Sequence, residues 1–210
     1  MLHNYLVIEG NIGAGKTTLC QLLAADTKAR LVLEQFADNP FLAGFYENPD
    51  RHAFTVELFF MAERYKQLQN MPVEQELFQQ QTIADYFFIK TLLFAQKNLQ
   101  GEEFRLFQRF FKILNQSFPR PDLMVYLHRP VPQLLAQIRS RGREYEQSLP
   151  AAYLEIIQTA YLDYFKNETA FPILVIDVGD ADFVNEPLIY DRIVELINQP
   201  HKKGVSFVNI

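Results

Sequence analysis

The sequence predicts an α/β chain of five parallel strands in one sheet flanked by helices. Three observations carry that expectation. Short apolar runs at residues 5–9, 30–33, 81–84, 123–127 and 173–176 alternate with longer stretches of helical period, as in a parallel sheet covered on both faces. A glycine-rich turn stands between the first run and the first helical stretch. No Gly/Ser-rich linker, charge block or repeat divides the 210 residues, so a single domain over 1–210 is expected.

The first run, Tyr5-Leu6-Val7-Ile8, leads into Gly10, Asn11, Ile12, Gly13, Ala14, Gly15, Lys16 and Thr17, and then into the helical Thr18-Leu19-Cys20. This matches G-x-x-x-x-G-K-[ST], a phosphate-binding loop, and each residue type has a physical reason. Glycines let the backbone turn its N–H groups inward, Lys16 reaches the β- and γ-phosphates, and the Thr17 hydroxyl ligates Mg²⁺ beside the helix dipole. The nucleotide-binding set therefore runs from Gly10 through Thr18. A glycine turn before an ordinary helix is the alternative, but it would not demand lysine and threonine at fixed positions.

The runs at 30–33 and 81–84 end in Glu34 and Asp85, and parallel sheets bind ligands beyond the carboxyl ends of their strands. A carboxylate on that rim can accept the proton of an incoming hydroxyl or ligate Mg²⁺, whereas the plainer reading of each is a helix-capping acid. A helical pattern follows from near Tyr86, and Gly101 separates it into two helices. Its aromatic residues, among them Phe87, Phe88, Phe94, Phe107, Phe110 and Phe111, serve either packed core or a subunit interface. After the run at 123–127, the helical stretch from Pro132 ends in Arg139-Ser140-Arg141-Gly142-Arg143. Three cations at a helix end can curl around a polyphosphate as a lid over about 139–150, or form a solvated turn favoured by the helix dipole. Pro150 opens a further helix, and the run at 173–176 completes the sheet.

Composition narrows the function. A net charge of −5 argues against a sequence-independent grip on nucleic acid, so the expected partner is a small molecule. Cys20, the one cysteine, excludes an intrachain disulfide and reads as a small buried hydrophobe. No run approaches a membrane span, and Met1-Leu2-His3-Asn4 lacks the features of a signal peptide, so a cytoplasmic enzyme without membrane attachment is expected.

Taken in order, Ile8 to Thr18, Glu34, Asp38 to Leu42, Phe45-Tyr46, Arg51 to Phe54, Arg141-Gly142-Arg143, Glu146, Tyr153-Leu154, Asp177-Val178 and Asp182-Phe183 resemble the deoxynucleoside kinase family. The likeness is strongest to its bacterial deoxyadenosine and deoxyguanosine kinases and covers nearly the whole chain. The resemblance implies a P-loop kinase in which Glu34 is the general base for the 5′-hydroxyl and Tyr46 with Glu146 holds the sugar 3′-hydroxyl. It further implies that Arg141 and Arg143 are lid arginines, that Asp177 to Phe183 lies by the adenine of ATP, and that Glu57 and Arg64 read the base. A homodimer packed through helices is also implied.

Two departures qualify this. The family's acid-Arg-Ser triplet reads Asp85-Tyr86-Phe87 here, which keeps the acid supporting Mg²⁺ but loses a cation, leaving Arg64 or Arg139 to cover for it. Glu57 stands where the family has Gln; an ionised carboxylate presents acceptors only and suits guanine, whereas a protonated one is glutamine-like and suits adenine. Alternatively, Glu57 and Arg64 simply neutralise each other. The resulting expectation is ATP- and Mg²⁺-dependent phosphorylation of a 2′-deoxynucleoside, purine in base. Catalysis falls to Glu34, Lys16, Arg141 and Arg143, and metal support to Thr17 and Asp85. A thymidylate-type monophosphate kinase and a degenerate nucleotide-binding homologue are the rival readings.

Overall fold

The computed structural model describes residues 3–34, 39–69 and 81–210. Strand β1 (Tyr5–Gly10) feeds the phosphate loop and helix α1 (Lys16–Thr27), followed by β2 (Arg30–Val32), α2 (Leu42–Glu47), α3 (Pro49–Leu68) and β3 (Thr82–Ala84). Next come α4 (Ile89–Asn98), α5 (Gly101–Asn115), β4 (Leu123–His128), α6 (Val131–Arg141), a 3₁₀ turn (Glu144–Glu146) and α7 (Ala151–Asn167). The chain ends with β5 (Pro172–Asp177), α8 (Pro187–Ile197) and β6 (Gly204–Asn209). The strands form one parallel sheet in the order β2-β3-β1-β4-β5-β6.

The sheet has six described strands, not the five expected. β6 pairs with β5 from Pro172↔Gly204 to Asp177↔Asn209. As an edge strand it buries none of its residues fully and leaves Phe207 65% exposed, so it lacks the continuous apolar run that marks a central parallel strand. A second difference lies after β3, where the helix starts at Ile89 and not near Tyr86. The buried Glu9 carboxylate accepts the Phe87 N–H at 2.7 Å and the Tyr161 hydroxyl at 2.9 Å, which ties Phe87 to β1 ahead of the helix.

β1 shows how the sheet divides the core. Its side chains alternate, Tyr5 and Val7 facing one apolar cluster, Leu6 and Ile8 the other. On the first face, the aromatic residues of α4 and α5 resolve into two groups. Phe88, Phe107 and Phe111 are core, with Phe88 stacked on Phe111 at 5.3 Å between centroids. On α5, Leu106, Phe110 and Ile113 point outward at 44%, 44% and 66% exposure, a stripe at i, i+4 and i+7. Cys20 is a buried free thiol in α1.

Candidate active site

The phosphate loop bends where glycine is needed. Gly13 and Gly15 adopt φ of 83° and 94°, and a Cβ on Gly13 would meet the Leu134 carbonyl oxygen at 2.8 Å, while one on Gly15 would meet the Phe183 ring at 2.9 Å. Asn11 ties the loop to α7: its Nδ2 donates to the Leu154 carbonyl at 2.8 Å and its Oδ1 accepts the Ile12 N–H. Gly10 and Ala14 are packed beneath the loop, and Thr18 sits in the first turn of α1. Ile12, Gly13, Lys16 and Thr17 face a cavity above the sheet. The Lys16 ammonium donates to the Asn11 carbonyl at 2.9 Å. Burial, then the nearby Lys90 charge, pulls its pKa down to about 8.

The two strand-end acids meet beside Lys16. Asp85 accepts the Thr17 hydroxyl on Oδ2 at 2.6 Å and the Glu34 backbone N–H on Oδ1 at 2.7 Å, which fixes Glu34 at the rim. The Glu34 carboxylate then receives Arg64 from α3, through Nε at 2.8 Å and Nη2 at 2.5 Å, and Lys90 from α4 at 2.5 Å. Burial opposes its ionisation, but Lys90 and Arg64 overcome that and hold the carboxyl well below the usual carboxylate range.

Arg64 and Glu57 share a face of α3 but do not pair. The third donor of Arg64, Nη1, goes to the Thr91 hydroxyl at 2.8 Å. Glu57 instead accepts Asn98 Nδ2 on Oε1 at 2.6 Å, and its buried Oε2 has no hydrogen-bond partner. Burial raises its pKa to about 7 against the opposing pull of Asn98 and Arg64. Tyr46 stacks on Tyr145 at 5.8 Å, and both Tyr46 and Glu146 line the same cavity. Arg141 and Arg143 converge on the buried Glu146, the latter at 3.2 Å. One cavity thus gathers the expected carboxylates, the expected arginines and the loop lysine.

Other expected residues lie elsewhere. Phe183 is buried against Gly15, and Asp182 turns its loop by accepting the Val184 and Asn185 N–H groups. Neither lines the cavity. Tyr86 points away from it, donating its hydroxyl to Gln67 at 2.6 Å, and Arg139 is exposed on the outside of α6. The cation that faces Glu34 in addition to Arg64 is Lys90, which sequence reasoning missed. Its one signal was a lone cation in the apolar stretch Phe88-Ile89-Lys90-Thr91-Leu92-Leu93. Asn98 and Arg129 were also missed; Arg129 donates to the Gly179 and Ala181 carbonyls at 3.0 Å each and so braces the loop carrying Asp182 and Phe183.

A parallel sheet with a phosphate loop, an acid at the next strand end and a basic segment over the cavity defines a phosphotransferase of the P-loop class. The model of the deoxynucleoside kinase family matches residues 6–201, and the chain belongs to that family. It is 31% identical over 199 residues to deoxyguanosine kinase of Bacillus subtilis (strain 168), covering 93% of this chain and 96% of the relative. It is 27% identical to the deoxyadenosine/deoxycytidine kinase of the same organism, covering 96% of each chain. Among solved structures, deoxyadenosine kinase from M. mycoides with bound dCTP superposes with a TM-score of 0.74 at 19% identity, over 92% of this chain and 98% of that one. The protein is a deoxynucleoside kinase.

Proposed function

We propose that this kinase transfers the γ-phosphoryl group of ATP to the 5′-hydroxyl of a purine 2′-deoxynucleoside. The observation that carries the reading is Glu34, a carboxylate fixed by Asp85 between the lysine of the phosphate loop and the Glu57 end of one cavity. In this reading Lys16 and the loop amides from Gly10 to Thr18 hold the donor phosphates, and Asp182 with Phe183 borders the adenine. Glu34 takes the proton as the 5′-oxygen attacks the γ-phosphorus and the bond to the β-phosphate oxygen breaks, releasing ADP. Arg141 and Arg143 leave Glu146 to meet the transferring group, and Glu146 with Tyr46 then receives the 3′-hydroxyl. Glu57 and Arg64 face the base.

The Thr17 hydroxyl and Asp85 carboxylate present two hard oxygens 2.6 Å apart at the foot of the loop, the donor type that Mg²⁺ accepts alongside phosphate oxygens and water. When bound, Mg²⁺ neutralises charge on the donor phosphates. Among the described residues no helix is long and apolar enough to cross a membrane. We place the enzyme in the cytoplasm as one domain with its lid over about 139–150. Its partner is a second copy of the chain, packed through the exposed stripe on α5. Relatives that are deoxyguanosine and deoxyadenosine/deoxycytidine kinases support a nucleoside acceptor. The test is a coupled ATP-consumption screen of the four deoxynucleosides and their 5′-monophosphates. Turnover is expected with the nucleosides, greatest kcat/KM falling to a purine; turnover with monophosphates alone would overturn the reading.

A further inference from the structure

Lys90 carries a charge that the resting site does not need. It is only 6% exposed, and its Nζ lies 2.5 Å from Glu34 Oε2. Yet Glu34 is already neutralised by Arg64, which is the better placed of the two: three hydrogen bonds, two to Glu34 and one to Thr91, fix the guanidinium. Of the other carboxylates in the cavity or beneath it, Glu57 keeps one oxygen without a hydrogen-bond partner, whereas Asp85 and Glu9 are engaged. Asp85 is occupied by Thr17 and the Glu34 N–H, and Glu9 by the Phe87 N–H and Tyr161. A second buried cation on a single carboxylate is costly unless an anion of higher charge enters the cavity. Lys90 is also the cation free to move toward such an anion. Its ammonium is carried on a flexible four-carbon stem, held at Glu34 by one hydrogen bond and bordered by the Phe94 ring at 5.7 Å. Lys90 lines the same cavity as Lys16 and Glu34.

We propose that Lys90 is a second catalytic lysine of the transfer step, which exchanges Glu34 for the phosphoryl group in flight. The inference rests on the kinase reading given above. As the 5′-hydroxyl hydrogen-bonds to Glu34, the ammonium shifts to the oxygens of the γ-phosphoryl group. It neutralises charge there while the 5′-oxygen–phosphorus bond forms and the bond to ADP breaks. Lys90 gives up no proton; the proton of the hydroxyl goes to Glu34. The positive charge lost with Tyr86 is thereby supplied from five residues after Asp85, in the first turn of α4.

The experiment compares wild type, Lys90→Gln, Lys90→Arg, Glu34→Gln and the double variant Glu34→Gln/Lys90→Gln. It measures kcat against pH for the best deoxynucleoside, and nucleoside affinity by calorimetry. Lys90→Gln is expected to lower the plateau of kcat by about 10²-fold or more, the scale of a lost transition-state donor, with nucleoside affinity within about threefold. Lys90→Arg is expected to recover at least about a tenth of the wild-type rate. A lysine that merely offsets Glu34 gives a different result. Its removal would raise the Glu34 pKa, move the acid limb of the profile to higher pH and leave the plateau intact, and that outcome would overturn the proposal. The double variant keeps the test decisive if Lys90→Gln does not fold, because it removes both members of the Lys90–Glu34 contact at once. Relative to Glu34→Gln alone it should lose a further factor of about ten or more, and equality of the two refutes the role. Wild type silent with all four deoxynucleosides would sink the functional reading itself, whereas active wild type with an intact Lys90→Gln plateau sinks only the role of Lys90.

Discussion

Replacing Glu57 by glutamine should change which purine the enzyme prefers, and the structure sets both size and pH dependence. Glu57 is buried at the end of the cavity with Oε1 held by Asn98 and Oε2 unpartnered, and burial brings its pKa to about 7. Other charges facing it are Arg64 and Lys90, which favour its ionisation, and Glu34, which opposes it. Ionised, the carboxylate offers acceptors to guanine N1–H and the 2-amino group; protonated, it offers one donor and one acceptor, the pattern that adenine needs. Preference for deoxyguanosine over deoxyadenosine should therefore rise with pH through about 7. Glutamine cannot ionise. A charge-assisted hydrogen bond is worth about 1.5–3 kcal/mol, so at pH 8 Glu57→Gln should move the ratio of kcat/KM values toward deoxyadenosine by about 10- to 150-fold and flatten its pH dependence. The same substitution has a stability signature. A carboxyl whose pKa is raised on folding favours the fold below the unfolded value, near 4.5, and loses that contribution as pH climbs through about 7. The variant without ligand should thus gain most in stability over wild type above pH 7. Initial rates for both nucleosides from pH 6 to 8 decide the matter: a ratio that moves less than about threefold with pH, and that the variant leaves unchanged, means that the carboxylate does not read the base.

Glu34→Gln should retain the fold and ATP binding while kcat falls by about 10²-fold or more, and wild-type-like turnover would remove Glu34 as the base. Lys16→Ala should weaken triphosphate binding as well as turnover, which equilibrium titration with a non-hydrolysable ATP analogue would read directly. Ile113→Glu, on the exposed stripe of α5, should convert a dimer to single chains in light scattering at micromolar concentration; wild type already at the mass of one chain contradicts the interface. Phe107→Ala, fully buried in the same helix, should cost about 3–5 kcal/mol in denaturant unfolding, and a loss under 1 kcal/mol would show that the core there relaxes freely.

What the sequence made legible follows chain locality. The phosphate loop is one continuous segment whose glycines, lysine and threonine are fixed by the turn itself. Glu34 and Asp85 were found because a parallel strand delivers the residue after it to the ligand rim, whatever the rest of the fold does. β6 was missed because an edge strand buries too little to write an apolar run, and the start of α4 shifted because a hydrogen-bond acceptor on β1, Glu9, is invisible from the sequence around Phe87.

Charge pairing was the least legible layer, and for a reason that reaches the chemistry. Arg64 and Glu57 lie two turns apart on one helix face, which left open whether they both read the base or simply neutralise each other. The fold instead offers Arg64 a carboxylate 30 residues away in Glu34 and a hydroxyl 27 residues away in Thr91, while Asn98 takes one oxygen of Glu57 from across the cavity. A guanidinium with three fixed donors gains more from that fork than from one neighbouring turn, because each buried donor left unmade would cost about 1–3 kcal/mol. The consequence is a site whose charges are committed to one another before substrate arrives: Glu34 to Arg64 and Lys90, and Glu146 to Arg141 and Arg143. Such pairs shield buried charge, and in the proposed reading a nucleotide phosphate or sugar hydroxyl would displace one of them. Recognition is then an exchange of partners inside a low-dielectric pocket, where a ligand lacking the matching group leaves a buried charge stranded, and discrimination comes from that penalty rather than from contact area.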